Sequence, residues 1–180
     1  YFSFIPWAVH DWQQREKGLS YAFGLREAIK LREKALTYGC VAHHDRQPCV
    51  GGALVGSTAA QNWLAEHDGE ANLGRIPFAK NPALNAYLNS MVNLGLFVEQ
   101  EAREEAEEEV DEVDFTFDDI ELSDLGSELA TGYSSVVAGL SVVEKLSEVE
   151  RTCTVEQLAE LGEVGGLCEL VNPNAVDRAT

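Results

Sequence analysis

The chain has 180 residues, of which 45% are hydrophobic and 24% are charged, and 31 acidic against 13 basic residues give a formal net charge of -18. This apolar content excludes a disordered chain and suffices for one domain, or for two small ones that share a core. No apolar run approaches the roughly 20 residues of a membrane-spanning helix, so we expect a globular protein without a membrane partner.

The acidity extends beyond a single segment. Residues 99–114 hold ten acidic residues and one arginine, yet without them the chain still has 21 acidic and 12 basic residues. We interpret this as an acid excess spread along the chain, which indicates a halophilic, haloarchaeal source, because salt at about 1 M shortens the screening length to about 3 Å. The alternative is an ordinary protein with one acidic loop.

The ends and the cysteines indicate the setting of the chain. It begins with Tyr1 and lacks the basic and apolar leader of a secreted protein, and this start predicts a piece of a longer protein. Four cysteines are too few for a disulfide framework, so we expect reduced thiols and a cytoplasmic location. No catalytic motif is found, and we expect this fragment to be non-catalytic, while the activity of the parent protein stays open.

The first third of the chain combines an aromatic segment with a helix. Residues 1–12 predict an extended lead-in whose aromatic side chains pack on the core. A base-stacking platform is the alternative, but it would need interleaved basic residues. Apolar spacing over residues 24–38 predicts an amphipathic helix that Gly39 ends, followed by a loop over 40–49.

Capping signals divide the rest of the chain. Ser57 or Thr58 predicts the start of a helix that ends near residue 67, and the segment up to residue 80 reads as a loop. Asn81 and Pro82 predict the start of a third helix, which Gly95 ends.

Strand-like residues on both sides of the acidic run then predict a β-hairpin. Ser123 predicts the cap of the next helix, and Thr152 or Thr154 that of the last one. The expected core of this part is Leu84, Leu88, Met91, Leu96, Phe115, Phe117, Leu125 and Leu129.

Two segments carry a resemblance to winged-helix domains. NPALNAYLNSMVNLGLFV resembles the recognition helix and its turn into the first wing strand, and IELSDLGSELATGY is similar to the strand-to-helix step after the wing. The resemblance implies a mainly α fold with a small β-hairpin wing and a winged helix-turn-helix core at residues 57–133. An N-terminal aromatic and helical segment at 1–56 and a C-terminal helical cap at 134–180 would flank it.

A second, more distant resemblance concerns both ends of the chain. YFSFIPWAV and VEQLAELGEVGGLCEL resemble an uncharacterised group of prokaryotic proteins associated with phage-defence and DNA-modification gene clusters. Neither segment contains a catalytic motif, so this resemblance implies a biological role and no reaction.

The winged-helix resemblance implies that the third helix contacts DNA bases. Asparagine can bond adenine N6 and N7 together, and serine can reach a base or a phosphate. The same face also fits the polar exterior of an ordinary packing helix. The candidate DNA-binding residues are Lys80, Asn85, Asn89, Ser90 and Asn93.

The acidic run complicates this interpretation, because contacts to phosphates supply much of the affinity of DNA-binding proteins and carboxylates repel phosphates. An acidic wing suits a basic protein partner, so a winged-helix protein-interaction module is the alternative function. A solvated loop is a third interpretation. The candidate partner-binding residues are Glu104, Glu105, Glu107, Glu108 and Glu109.

Four residues within one short segment are zinc-ligand types, namely Cys40, His43, His44 and Cys49. Their spacing, Cys-x2-His-His-x4-Cys, is not an established zinc-finger pattern. A buried cysteine pair with surface histidines is the alternative. We therefore expect no cofactor, with zinc at these four residues kept as a hypothesis.

Overall fold

The computed structural model describes residues 2–19, 23–46, 54–81, 83–99 and 120–166. Over these ranges the fold is mainly helical, with two small antiparallel two-stranded sheets, and no described helix is long and apolar enough to cross a membrane. The helices are α1 (Phe4–Arg15), α2 (Leu25–His43), α3 (Ser57–Glu66), α4 (Ala83–Asn93), α5 (Asp124–Val137), α6 (Ser141–Leu146) and α7 (Val155–Gly165). The strands are β1 (Glu70–Asn72), β2 (Phe97–Glu99), β3 (Ile120–Leu122) and β4 (Thr152–Thr154).

The N-terminal segment forms helix α1, so the prediction of an extended lead-in was wrong. Pro6 lies in the first turn of α1, where a backbone N–H has no intrahelical acceptor and its loss is tolerated. The prediction that the aromatic residues enter the core is confirmed for Phe4 and Trp7, which are buried. Their rings lie 5.7 and 5.1 Å from the ring of Tyr133 on α5.

Helix α2 continues through Gly39 to His43, so the prediction that Gly39 ends the helix was wrong. Gly39 lies where α2 crosses α7, directly against Gly162. A Cβ atom on either glycine would overlap the backbone of the other helix. The close contact between the two backbones therefore compensates for the low helix propensity of glycine.

A buried ion-pair network joins α1 to α2. The fully buried Arg32 donates through Nη2 to Asp11 at 2.6 Å and to Glu16 at 2.7 Å. Arg151, just before β4, places Nη2 3.7 Å from Glu16 Oε2 and its guanidinium 4.2 Å from the ring centre of Phe23. Each buried charge faces an opposite charge, so this network links the N-terminal segment to α2 and to the residue before β4.

The segment between α2 and α4 departs from the prediction at two points. Helix α3 is present as predicted, but its N-cap is Gly56, with φ of 83°, and neither Ser57 nor Thr58 caps it. Strand β1 lies within a segment predicted as loop and pairs antiparallel with β4, with Ala71 opposite Cys153. This pairing joins residues distant in sequence, so no local pattern indicates it.

Helix α4 ends at a glycine, as predicted. Gly95 has φ of 70° and donates its N–H to Val92 O, and the N–H of Leu96 bonds Met91 O. These two bonds form the Schellman motif and turn the chain sharply. The strand that follows, β2, is antiparallel to β3, with Val98 opposite Glu121, which confirms the hairpin over its described residues.

The last two predicted caps are also confirmed. Ser123 Oγ accepts the N–H of Gly126 at 3.0 Å and begins α5. Thr154 and Gln157 form a capping box at the start of α7. Both caps depend on residues within three positions of each other, so the sequence alone could predict them.

The predicted core is confirmed for Leu88, Met91 and Leu96, which are buried, and Leu129 packs partly buried against the core. Leu125 is 47% exposed, so its predicted burial was wrong. It lies beside the buried stripe of α5, which consists of Gly126, Ala130, Tyr133 and Val137. The side chain of Leu84, and the residues Phe115 and Phe117, lie outside the described part of the chain.

Two glycine substitutions should have opposite effects on stability, because Gly162 lies in the contact between α2 and α7 whereas Gly132 has open space around it. Gly162→Ala should lower the free energy of unfolding by about 1 to 3 kcal/mol or more, because the new methyl group must push α7 away from Gly39. Gly132→Ala, on the exposed side of α5 with no neighbouring atom in the way, should raise it by about 0.5 to 1 kcal/mol. Urea unfolding measures both values, and a neutral Gly162→Ala variant would contradict the tight crossing.

Candidate DNA-binding surface

Helix α4 presents the candidate residues on one solvent-facing side. Asn89, Ser90 and Asn93 are exposed, whereas Leu88 and Met91 on the opposite side are buried. The exposed positions offer amide and hydroxyl groups, which donate and accept hydrogen bonds but do not ionise near neutral pH. Such a surface is suited to recognition rather than to acid–base catalysis.

The two remaining candidates lie near the start of this helix. Lys80 is exposed, three residues before Ala83. Asn85 belongs to α4, but its side chain is outside the described part of the chain. The structure therefore brings Asn89, Ser90 and Asn93 onto one helix, with Lys80 close to its start.

Helix α2 contacts the segment between β1 and α4, residues 73–82, which we call the connector. Lys34 Nζ donates to the carbonyl oxygens of Leu73 at 2.6 Å and Ile76 at 3.0 Å. The hydroxyl of Tyr38 donates to Pro77 O at 2.7 Å. Three carbonyl groups of the connector are thus fixed by two side chains that lie one helical turn apart on α2.

The start of α4 is also held by α2. The N–H of Ala83 donates to Glu33 Oε2 at 3.0 Å, in a buried position. A carboxylate at this end interacts favourably with the helix dipole. Asn81 and Pro82 predicted the start of this helix from neighbouring residues, whereas the acceptor of the Ala83 N–H is 50 residues away in the sequence and no local capping pattern could reveal it.

The environment of Lys34 changes its acidity. Burial, and to a smaller extent the positive charge of Lys30, lowers the pKa of its ammonium group from 10.5 to about 8, while Glu27 acts in the opposite direction. A neutral amine can still donate to the carbonyl groups of Leu73 and Ile76. The lysine is therefore a support for the connector rather than a free surface charge.

The charge of the chain is divided unevenly between its two halves. Residues 1–98 hold nine basic and eight acidic residues, whereas residues 99–180 hold four basic and 23 acidic residues. The acid excess therefore extends beyond residues 99–114, since residues 115–180 hold 13 acidic and three basic residues, but the interpretation that it is spread along the whole chain was wrong. Residues 71–98, which include α4, contain no Asp or Glu and two basic residues, Arg75 and Lys80, both exposed.

An aromatic pair borders the exposed side of α4. Tyr87, on α4, is 37% exposed, and its ring meets that of Phe2 edge to face at 6.3 Å between centroids. Tyr87 and Arg75 were not among the predicted surface residues of this region. The lack of acidic residues on either side of them in the sequence was a signal that could have identified them.

The order of elements before α4 differs from that of a helix-turn-helix motif. Within the described residues 67–81 the chain forms β1, turns and extended backbone, and no helix precedes α4 by a short turn. The partner of β1 is β4, which lies beyond the segment 57–133. The part that matches the resemblance is α4, the hairpin β2–β3 and α5, in that order.

The proposed zinc ligands are only partly placed. Cys40 is buried within α2, and His43 and His44 follow at the end of the helix with ring centroids 4.9 Å apart. Cys49 lies outside the described residues, and the described ranges contain no group of three or more side chains that could hold a metal. Zinc at this segment stays a hypothesis.

The candidate partner-binding residues of the acidic run, Glu104, Glu105, Glu107, Glu108 and Glu109, also lie outside the described residues.

Comparison with known proteins adds no relative from which a function could be transferred. The chain matches no family model, no curated protein and no solved structure. The geometry and charge of the α4 surface are therefore the basis for a functional interpretation.

The support that Lys34 gives to the connector predicts a pH-dependent effect. Lys34→Met should lower the free energy of unfolding by about 1 to 3 kcal/mol, because two carbonyl groups lose their donor. The wild-type lysine has a lower pKa folded, about 8, than unfolded, 10.5, so its burial costs free energy below pH 8 and this cost disappears as pH rises toward 10.5. The difference in free energy of unfolding between the wild type and the Met variant should thus be larger at about pH 9.5 than at about pH 7.

Urea unfolding at the two pH values measures this difference. The exposed Lys17 provides a matched control, since Lys17→Met should change stability little at either pH. A loss for Lys34→Met that is equal at both pH values would contradict the assigned role.

Proposed function

We propose that this protein is a non-catalytic winged-helix module that binds double-stranded DNA through α4, in a haloarchaeal protein of defence or DNA modification. The observation that carries the proposal is an exposed, uncharged hydrogen-bonding face on a helix within the longest acid-free segment of the chain. The resemblance of this segment to winged-helix recognition helices supports it.

The dimensions of α4 fit this function. Its 11 residues extend over about 16 Å, and the major groove of B-DNA, about 12 Å wide, admits one α-helix. The Schellman turn at Gly95 places β2 directly after the helix. This order, a helix followed directly by a pair of antiparallel strands, supports the comparison with a recognition helix and its wing.

The support beneath α4 also favours a binding role. Glu33 holds its first N–H, and Lys34 and Tyr38 hold the connector before it. A rigid helix loses little conformational freedom when it binds, so more of its contact energy appears as affinity.

A protein-interaction module is the second candidate, and the charge of the C-terminal half favours it. Residues 99–180 carry 23 acidic residues against four basic ones, which suits a basic partner. For DNA binding, the same charge has the opposite effect, because carboxylates repel phosphates. The two functions therefore predict opposite responses to the removal of acidic residues.

Replacement of asparagines on α4 tests the DNA-binding function. The variant Asn85→Ala with Asn89→Ala should lose about 1 to 3 kcal/mol of binding free energy per bidentate contact, with its thermal midpoint close to that of the wild type. A gel-shift titration against a pool of duplexes measures affinity. Asn62→Ala, at an exposed position of α3, is the control and should retain wild-type binding. Equal binding by all three proteins would contradict a role for α4.

Neutralisation of the acidic run separates the two functions. Changing Glu104, Glu105, Glu107, Glu108 and Glu109 together to Gln should strengthen duplex binding, because repulsion from phosphates is removed. If the acidic run instead binds a basic partner, the same variant should lose affinity for a lysine-rich peptide by slower association. Fluorescence anisotropy with both probes measures the two responses, and no change in either would leave the run as a solvated loop.

A further inference from the structure

The exposed side of α4 has a narrower chemistry than most DNA-binding helices. Guanine is most often recognised by Arg or Lys, which donate to its O6 and N7 atoms. Residues 83–94 contain no charged side chain, and the exposed positions include Ala86, Asn89, Ser90 and Asn93. An amide side chain can donate to adenine N7 and accept from adenine N6, and a methyl group can contact the methyl of thymine.

The spacing of these side chains fits neighbouring base pairs. Asn89 and Asn93 are four residues apart on the same side of α4, or about 6 Å along the helix axis. Base pairs are stacked about 3.4 Å apart, so the two amides face positions about two steps apart when the helix follows the groove. Ala86 lies three residues before Asn89, on the same exposed side.

We infer that α4 recognises A·T base pairs in the major groove, with Asn89 and Asn93 bonding adenines and Ala86 contacting a thymine methyl. This inference rests on the proposed function, because it specifies which base pairs the same surface binds. It goes beyond that function by specifying A·T base pairs and by assigning a contact to each of three positions.

The same surface implies a weak dependence on salt. Within residues 71–98 the side chains able to pair with phosphates are Arg75 and Lys80. Each phosphate contact contributes about -0.9 to the slope of log affinity against log salt concentration, so two contacts give a slope of about -2. A complex that depends on base contacts and two phosphate contacts can persist at salt concentrations that dissociate more basic proteins.

The experiment begins with selection of duplexes from a random pool by the wild-type protein in KCl. The enriched sequences should share a core of A·T base pairs. Anisotropy titrations of the selected duplex then use single replacements of adenine by 7-deazaadenine, which removes N7 and leaves base pairing intact. Replacement at a contacted adenine should weaken binding about 5- to 150-fold, and uracil in place of the contacted thymine should also weaken it.

Variants assign each contact to one side chain. For one adenine, the Asn89→Ala variant should have the same affinity for the normal duplex and for the duplex with 7-deazaadenine at that position. For a second adenine, the Asn93→Ala variant should show the same equality. The Asn62→Ala variant should show the wild-type loss of affinity when either adenine is replaced by 7-deazaadenine. Lys80→Ala should reduce the salt slope by about 1, whereas Lys17→Ala should leave it unchanged. Thermal unfolding verifies that each variant is folded, and the base replacements test the inference with the wild-type protein alone.

The outcomes separate this inference from the function beneath it. Tight binding with no base preference, or with a G·C core, overturns A·T recognition and leaves DNA binding by the protein intact. A salt slope steeper than about -4 overturns the assignment of two phosphate contacts. The absence of binding to any duplex between about 0.1 and 2 M KCl overturns both the inference and the proposed function.

Discussion

The guanidinium group of Arg32 is the interaction on which the arrangement of the helices depends. It is fully buried and bonds carboxylates at two positions of the N-terminal segment, Asp11 and Glu16. Loss of one partner from such a network typically costs about 3 to 5 kcal/mol, because the other charge stays buried without compensation. The network links the N-terminal segment to α2, and in this arrangement Phe4 and Trp7 of α1 pack against Tyr133 of α5.

Helix α2 connects this buried network to the segment that carries the candidate surface. At Gly39 its backbone lies against α7, so its position is also set from the C-terminal side. Through Glu33, Lys34 and Tyr38 it then holds the start of α4 and the connector before it. The exposed asparagines of α4 are therefore oriented by groups that are themselves buried, and a change in the helix packing would displace the candidate surface.

The sequence predicted the features that depend on neighbours along the chain. The turn at Gly95 and the caps at Ser123 and Thr154 need only residues within one helical turn, and all three are confirmed. Gly39 was misinterpreted because its role depends on a glycine in a distant helix. Pro6 was misinterpreted because a proline is compatible with both an extended segment and a first helical turn.

The candidate surface shows the same division. Helical periodicity was sufficient to assign Asn89 and Asn93 to the exposed side of α4. The carboxylate that accepts the first N–H of α4, and the pairing of β1 with β4, involve long-range contacts that a single sequence does not reveal. The uneven charge can be counted from the sequence, but the total of -18 does not show how the charge is divided between the two halves.

This uneven charge limits how DNA could approach the protein. The acidic C-terminal half repels phosphates, whereas residues 71–98, which include α4, carry no acidic side chain; under the proposed function α4 faces the duplex, and binding must overcome repulsion from the acidic run that follows α4 in the sequence. At high salt the long-range part of this effect is screened, and the short-range fit between side chains and bases decides the affinity. A surface of uncharged amides loses little under such conditions, because its hydrogen bonds to bases do not depend on the release of counterions. If α4 is the DNA-binding helix that we propose, an acidic body with an uncharged helix face exchanges affinity at low salt for sequence preference at high salt.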